Sequence, residues 1–302
     1  KEEKAKHALL LSMAMDKNYI DRTDFDVLQP AIDFYEDHGS ATDKLRTYYY
    51  QGRIYQNAGN DAAAMESFVN SLDMGSESND NLTKARILVA QSNIYYSLMK
   101  WEKVCDVNIE AANYYNELGR TNNYVYCLLR CIGGYIQSNN FDKAKDLLGK
   151  CYQYTENLPE LLISEIYSYH LLYSVAANNF ESVPLIIGEY KNKVSEENID
   201  YLTVAGAYAD IGAYDKAEDM LVRINTKSLE DNNKTLKYYT TLIRIYRHKG
   251  DYRKVYESYL KFNELNDSIL FSIFESDTQF IEERHALEMQ KAKETEAKNR
   301  LT

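Results

Sequence analysis

A short pattern returns six times along this chain: an aromatic residue, then, six to nine residues on, an aromatic-acid-Lys run that ends in a small residue. Tyr55 precedes Asn60-Asp61-Ala62-Ala63-Ala64, Tyr95 precedes Trp101-Glu102-Lys103-Val104, and Tyr135 precedes Phe141-Asp142-Lys143-Ala144. Ser174 then precedes Phe180-Glu181-Ser182-Val183, Tyr208 precedes Tyr214-Asp215-Lys216-Ala217, and Tyr246 precedes Tyr252-Arg253-Lys254-Val255. Self-similarity at a period of a few tens of residues belongs to chains built by stacking one supersecondary unit on the next, because a single unit cannot bury its own apolar face.

Each unit reads as two amphipathic helices joined by a tight turn. In the fifth, Tyr201, Val204, Ala205 and Tyr208 recur at three- and four-residue spacing, Gly212 closes the first helix, and Ala217, Leu221 and Ile224 mark one face of the second. Gly59, Gly212 and Gly250 stand where a left-handed residue lets the chain reverse. Ala64, Ala144 and Ala217 supply the small side chain that lets paired helices approach closely. With only 12 Gly and 3 Pro in 302 residues, 45% hydrophobic content and 28 Tyr, a large helical core with few breaks follows, and disordered or collagen-like classes are excluded.

The pattern resembles the tetratricopeptide repeat, carried best by Gly52, Tyr55, Gly59, Ala64 and Phe68 in the first unit and by Tyr208, Gly212, Tyr214, Asp215, Lys216 and Ala217 in the fifth. The resemblance implies an all-α, right-handed superhelical solenoid of helical hairpins with a long C-terminal helix. Unit starts near Leu45, Ala85, Val125, Ser164, Asn198 and Leu236 give spacings of 40, 40, 39, 34 and 38, so most units are longer than the usual ~34. The extra length is assigned to the connections Asp73–Asn81, Gly119–Asn123 and Thr226–Asn233, all rich in turn formers. The fourth unit is the weakest, with Ser174 in place of Tyr and Pro184 near the first turn of its second helix.

Three parts are therefore expected: a capping hairpin over residues 1–44, six repeats over 45–262, and a long helix over 263–302 that connects onward. In the cap, Leu9, Leu10, Met13 and Met15 face Val27, Leu28, Ile32 and Tyr35. The terminal helix is read from Asp267 to Arg300, with Ile273, Phe280 and Leu287 seven apart as a candidate seam for a homodimer. The segment Asp277-Thr278-Gln279-Phe280-Ile281-Glu282-Glu283-Arg284-His285-Ala286-Leu287-Glu288, the opening Asp16-Lys17-Asn18-Tyr19-Ile20-Asp21 and the run from Arg46 to Tyr55 are similar to exported repeat proteins of Bacteroidetes that lead into a membrane span. That resemblance implies the sensing part of an envelope-anchored signalling or regulatory protein, held in the membrane by a segment beyond Thr302. A cytoplasmic repeat regulator that binds a peptide or small molecule is the alternative.

Catalytic signatures are missing: there is no G-x-x-x-x-G-K-[ST], G-x-G-x-x-G, H-E-x-x-H or G-x-S-x-G. The five histidines are scattered, Cys127 and Cys131 lack further ligands, and the acidic loop from Asp73 to Asp80 lacks the order of a calcium loop. Neither metal, cofactor nor enzymatic activity is expected. A net charge of -11 argues against nucleic acid. The apolar stretch from Ser164 to Ala177 is too short to span a bilayer and contains Glu165 and His170.

In stacked helical hairpins the first helix of each unit lines the inner wall. The inward positions of the resemblance fall on Arg46, Tyr49, Tyr50, Arg53 and Asn57, then Arg86, Asn93 and Tyr96, then Tyr126 and Arg130. Arginine forks take carboxylates bidentately and tyrosines supply rigid contact area, so an acidic peptide or a peptide C-terminus is the expected partner. The competing reading is that these arginines pair with neighbouring Asp and Glu and only solvate the wall. Chaperone C-termini are not expected, because Tyr49, Ala90 and Tyr126 occupy positions that such grooves give to Lys and Asn.

Overall fold

A computed structural model describes residues 1–224, 229 and 232–275, with the side chain of Asn233 excepted. Helices alternate with short turns, and no strand occurs among the described residues. The helices pair in chain order: α1 (Glu2–Lys17) with α2 (Gln29–His38), α3 (Ala41–Asn57) with α4 (Asp61–Met74), and α5 (Asn81–Ser97) with α6 (Trp101–Glu117). The next pairs are α7 (Thr121–Gln137) with α8 (Phe141–Tyr152), α9 (Glu160–Ala176) with α10 (Val183–Lys193), and α11 (Tyr201–Asp210) with α12 (Tyr214–Leu221). The last pair is α13 (Asn232–Lys249) with α14, residues 252–275.

One turn recurs at every pair. Tyr19, Gly59, Met99, Asn139, Asn178, Gly212 and Gly250 all have φ between 53° and 77°. Each of the last six follows by four residues the position that organises the sequence pattern, and the carbonyl of that position accepts the N–H of the residue after the turn. The bonds Asn60→Tyr55, Lys100→Tyr95, Asn140→Tyr135, Asn179→Ser174, Ala213→Tyr208 and Asp251→Tyr246 run from 2.7 to 3.0 Å. The turn residue itself donates to the residue three before it, as in Gly59→Gln56 at 3.1 Å. This is the Schellman closure of a helix, which satisfies two carbonyls that the helix end would otherwise orphan. The cap obeys it too, with Ile20 donating to Met15 at 3.0 Å, so α1 and α2 form a seventh hairpin that differs by the longer stretch before α2.

The helix starts are equally explicit. Ser40 and Asp43 form a capping box on α3, while Asn60, Asp80 and Asp200 accept the N–H three residues on at the starts of α4, α5 and α11. The length of the 40-residue repeats resides partly in helices of 14 to 17 residues and, between α4 and α5, in the connection over residues 75–80, which falls within the predicted Asp73–Asn81. Within Gly119–Asn123 only Gly119, at φ 65°, and Arg120 are non-helical, because α7 already begins at Thr121. Most of Thr226–Asn233 lies outside the described residues.

Two compact bodies result, one built on Lys1–Gly119 and the other on Arg120–Ser272. The N-terminal body packs Leu9, Leu28, Leu45, Ile54, Phe68, Ile87 and Ile94 into one core. Gly52 shows why that position must be small: a β-carbon there would stand 2.4 Å from the Phe68 ring. Ala64, Ala144 and Ala217 are fully buried, each at a helix crossing. The C-terminal body centres on Leu171, Val183, Ile187, Tyr190, Val204, Ala205 and Ile245. Pro184 sits in the first turn of α10, where its missing N–H costs nothing.

At the C-terminal end the structure corrects the sequence reading. The last helix begins at residue 252 rather than near Asp267 and runs without a break through 262 and 263, because Asn266-Asp267-Ser268 resembles a helix start but no turn former precedes it. Of the proposed dimer seam, Ile273 is half-buried on the packed side of α14, while Phe280 and Leu287 lie outside the described residues.

Candidate functional site

Four of the predicted inner-wall residues of the N-terminal body converge on a groove of about 330 Å³ between α1, α3 and α5, while Arg46, Tyr50, Asn57 and Tyr96 do not line it. Tyr49, Arg53, Arg86 and Asn93 line it, joined by Asp16, Lys17 and Tyr19 from the end of α1 and by Val89, Ala90 and Tyr115. Tyr49 is buried, and desolvation pushes its phenol well above the ordinary tyrosine range, so it is a neutral hydrogen-bonding wall at any physiological pH. Tyr50 packs edge-on against it at 4.8 Å and is likewise buried. Tyr19, at the positive-φ turn, is 92% exposed at the rim.

The arginines divide between two roles. Arg46 Nε donates to Asp80 Oδ2 at 2.7 Å, and Asp80 also caps α5 through Thr83. Burial works against the Asp80 carboxylate, but the hydrogen bonds from Thr83 and Arg46 outweigh it and hold the group below the ordinary range. Arg53 Nε donates to Asp16 Oδ1 at 3.2 Å, and its Nη1 donates to Gln56 Oε1 at 2.6 Å. For Arg46 and Arg53, then, the reading of paired wall charges holds. Arg86 is exposed in the groove and makes no ion pair among the described residues. Asn93 is exposed beside it; Asn57 is engaged with the Arg22 carbonyl at 3.1 Å, and Tyr96 packs edge-on to Trp101 at 5.3 Å.

Tyr126 and Arg130 belong to the other body, on α7. Tyr126 is 36% exposed, and Arg130 is half-buried with its charge acting on the Cys127 thiol and on Glu165 of α9. Cys127 is buried and pushed up to about 12, which makes it a core hydrophobe rather than a thiolate. Among the described residues no group of three His, Cys, Asp or Glu could hold a metal ion, and no helix is long and apolar enough to cross a membrane.

No model of a known protein family matches the chain, and no curated protein sequence does. Solved structures do. A tetratricopeptide repeat protein from Parabacteroides merdae superposes with a TM-score of 0.65 over 91% of this chain and 99% of that one, at 15% identity. The fold is a tetratricopeptide-repeat fold. A Rap protein solved in complex with competence and sporulation factor superposes with a TM-score of 0.56 over 88% of this chain and 87% of its own, at 14% identity.

Register within the tetratricopeptide fold reveals what the sequence reading missed. Arg46 and Arg53 precede the turn residue Gly59 by 13 and 6 positions, Arg86 and Asn93 precede Met99 by the same intervals, and Lys237 and Arg244 precede Gly250 likewise. In the C-terminal body Lys237 donates to Thr203 Oγ1 at 3.0 Å, and Arg244 pairs with Asp210. Burial depresses the Lys237 ammonium against the pull of Asp200 and Asp210. Counting back from Gly250 would have found both residues; the resemblance was carried only through the third repeat.

Proposed function

We propose that the chain is a non-enzymatic scaffold that binds an acidic peptide or a peptide C-terminus in the groove of its N-terminal body. The observation that carries this reading is Arg86, an exposed guanidinium that lines the groove with Asn93 and the neutral Tyr49 wall, in a tetratricopeptide fold. Arg53 lines the same groove but is already paired with Asp16, which leaves Arg86 as the anchor. The Rap protein solved in complex with competence and sporulation factor supports the reading, since a similar arrangement of helices is there in complex with another molecule.

The scaffold serves, in this proposal, as the extracytoplasmic sensing part of a membrane-anchored signalling or regulatory protein, with the membrane reached through a segment beyond Thr302. The similarity of Asp16–Asp21 and Arg46–Tyr55 to exported Bacteroidetes repeat proteins supports it, and these two segments meet in the structure, through the Asp16–Arg53 pair. Residues 277–288, which share that similarity, lie outside the described residues. Fractionation and protease protection of the natively expressed protein test the placement. Protease-accessible repeats in a membrane fraction are expected; a freely soluble cytoplasmic protein would transfer the same groove to a cytoplasmic regulator.

A further inference from the structure

The outer side of α14 carries large side chains that stand about half or more exposed among the described residues. Tyr252, Tyr256, Tyr259, Leu260, Leu270 and Phe271 are 73%, 62%, 51%, 49%, 51% and 62% exposed. At 3.6 residues per turn, Tyr252, Tyr256, Tyr259, Asn263, Asp267 and Leu270 fall within about 40° of a single line along the helix. The packed side of the same helix is different, with Ser258 buried and Val255, Phe262 and Ile269 half-buried.

The repeat register shows that this exposure is unusual. The residue nine positions after the turn is Phe68 after Gly59, Asn108 after Met99, Leu148 after Asn139, Ile187 after Asn178 and Leu221 after Gly212, and none is more than 6% exposed. Nine positions after Gly250 stands Tyr259, half exposed. A flank that every earlier hairpin between Gly59 and Leu221 buries is open here among the described residues, and a further helix would close it.

The stripe is complementary to itself. Asn263 lies at its centre, Tyr256 and Leu270 lie seven residues to either side, and Tyr259 and Asp267 lie four to either side. In a parallel, in-register pair Asp267 would meet Asp267, two like charges removed from water. In an antiparallel pair about Asn263, Tyr256 meets Leu270, each Tyr259 phenol donates to the Asp267 carboxylate of the other helix, and the two Asn263 amides meet on the axis. A central Asn pair is also the device by which paired helices fix their register. We propose that α14 is closed by α14 of a second copy of this chain, antiparallel, on a two-fold axis through Asn263. The six side chains bury on the order of 600 Å² per copy, or ~1,200 Å² in all, at the lower edge of what a specific dimer needs.

The test is the mass of the full chain in solution, by light scattering or analytical ultracentrifugation, from about 1 to about 100 µM. The wild-type chain is expected to be a dimer in the upper part of that range. Tyr256→Glu is expected to weaken association at least ~10-fold while leaving the helical circular dichroism unchanged and, at the dilute end where both chains are monomeric, the melting temperature as well, since most of the side chain is exposed. Tyr256→Glu combined with Leu270→Lys is expected to restore the dimer, because only the antiparallel register brings these positions together. A wild-type chain that stays monomeric, a Tyr256→Glu variant that still dimerises, or a double variant that is not restored would each overturn the proposal. None of these outcomes bears on peptide binding in the N-terminal groove, which involves other residues.

Discussion

At the scale of single residues the repeat is a backbone device before it is a packing device. Four of the seven turns place a residue other than Gly at positive φ: Tyr19, Met99, Asn139 and Asn178. A side chain there costs ~1–2 kcal/mol through crowding of its β-carbon, less for Asn, whose short polar side chain tolerates the conformation. Met99→Gly is therefore expected to stabilise the protein by ~0.5–1 kcal/mol in urea unfolding, net of the greater freedom of Gly in the unfolded chain, and Asn139→Gly by less. Gly59→Ala should destabilise by ~1 kcal/mol, although nothing stands within 4 Å of the added methyl, so the cost is purely conformational. An unchanged midpoint for Met99→Gly would show that the turn is not strained there. These positions also explain what could be read in the sequence. Gly59, Gly212 and Gly250 announce their turns, whereas Met99 does so only through its place four residues after Tyr95.

At the scale of elements, the repeat that looks weakest in sequence is secured by polar contacts that hydropathy does not display. Its second helix, α10, has 11 residues, and Tyr190 on it is fully buried. The Tyr190 hydroxyl lies 2.5 Å from Ser164 Oγ and accepts the Asp200 N–H at 2.9 Å, while Ser164 donates to the Asn198 carbonyl at 2.6 Å. Tyr190→Phe keeps the ring stack on Tyr167 at 5.3 Å but leaves the Asp200 N–H without its acceptor; a loss of ~1–3 kcal/mol is expected by chemical denaturation. A loss under a few tenths would mean that water replaces the hydroxyl. Near this lock, His170 Nδ1 lies 2.8 Å from the Tyr152 hydroxyl, and burial holds its pKa below the ordinary 6.5 against the pull of Glu189. The folded state thus binds fewer protons than the unfolded one, so this contribution is complete above 6.5 and lost as pH falls through and below that value. Between about pH 7.5 and about pH 5.5 the wild-type chain should lose stability, and His170→Gln should flatten the loss; equal slopes in both would remove His170 as the cause. Helix pairing, turn order and the small crossing residues were legible from spacing alone. The start of α14 was not, because Asn266-Asp267-Ser268 carries the composition of a helix cap inside a continuous helix.

At the scale of the whole molecule, an acidic chain of net charge -11 places in its N-terminal groove an exposed arginine, Arg86, that makes no ion pair among the described residues. Composition could suggest arginines on the inner wall, but not which of them already hold a carboxylate, since Asp16 and Asp80 reach Arg53 and Arg46 from 37 and 34 residues away. That division leaves Arg86 as the anchor of the binding reading. Its central claim is that ligand enters the N-terminal groove. The most direct measurement is hydrogen exchange on the full chain, alone and with a short peptide that ends in two acidic residues and a free carboxylate. Protection is expected over Ala41–Asn57 and Asn81–Ser97. With Arg86→Ala, affinity should fall ~10-fold or more and that protection should disappear at equal peptide concentration. Protection confined to other helices, or a footprint that Arg86→Ala leaves intact, would contradict the account.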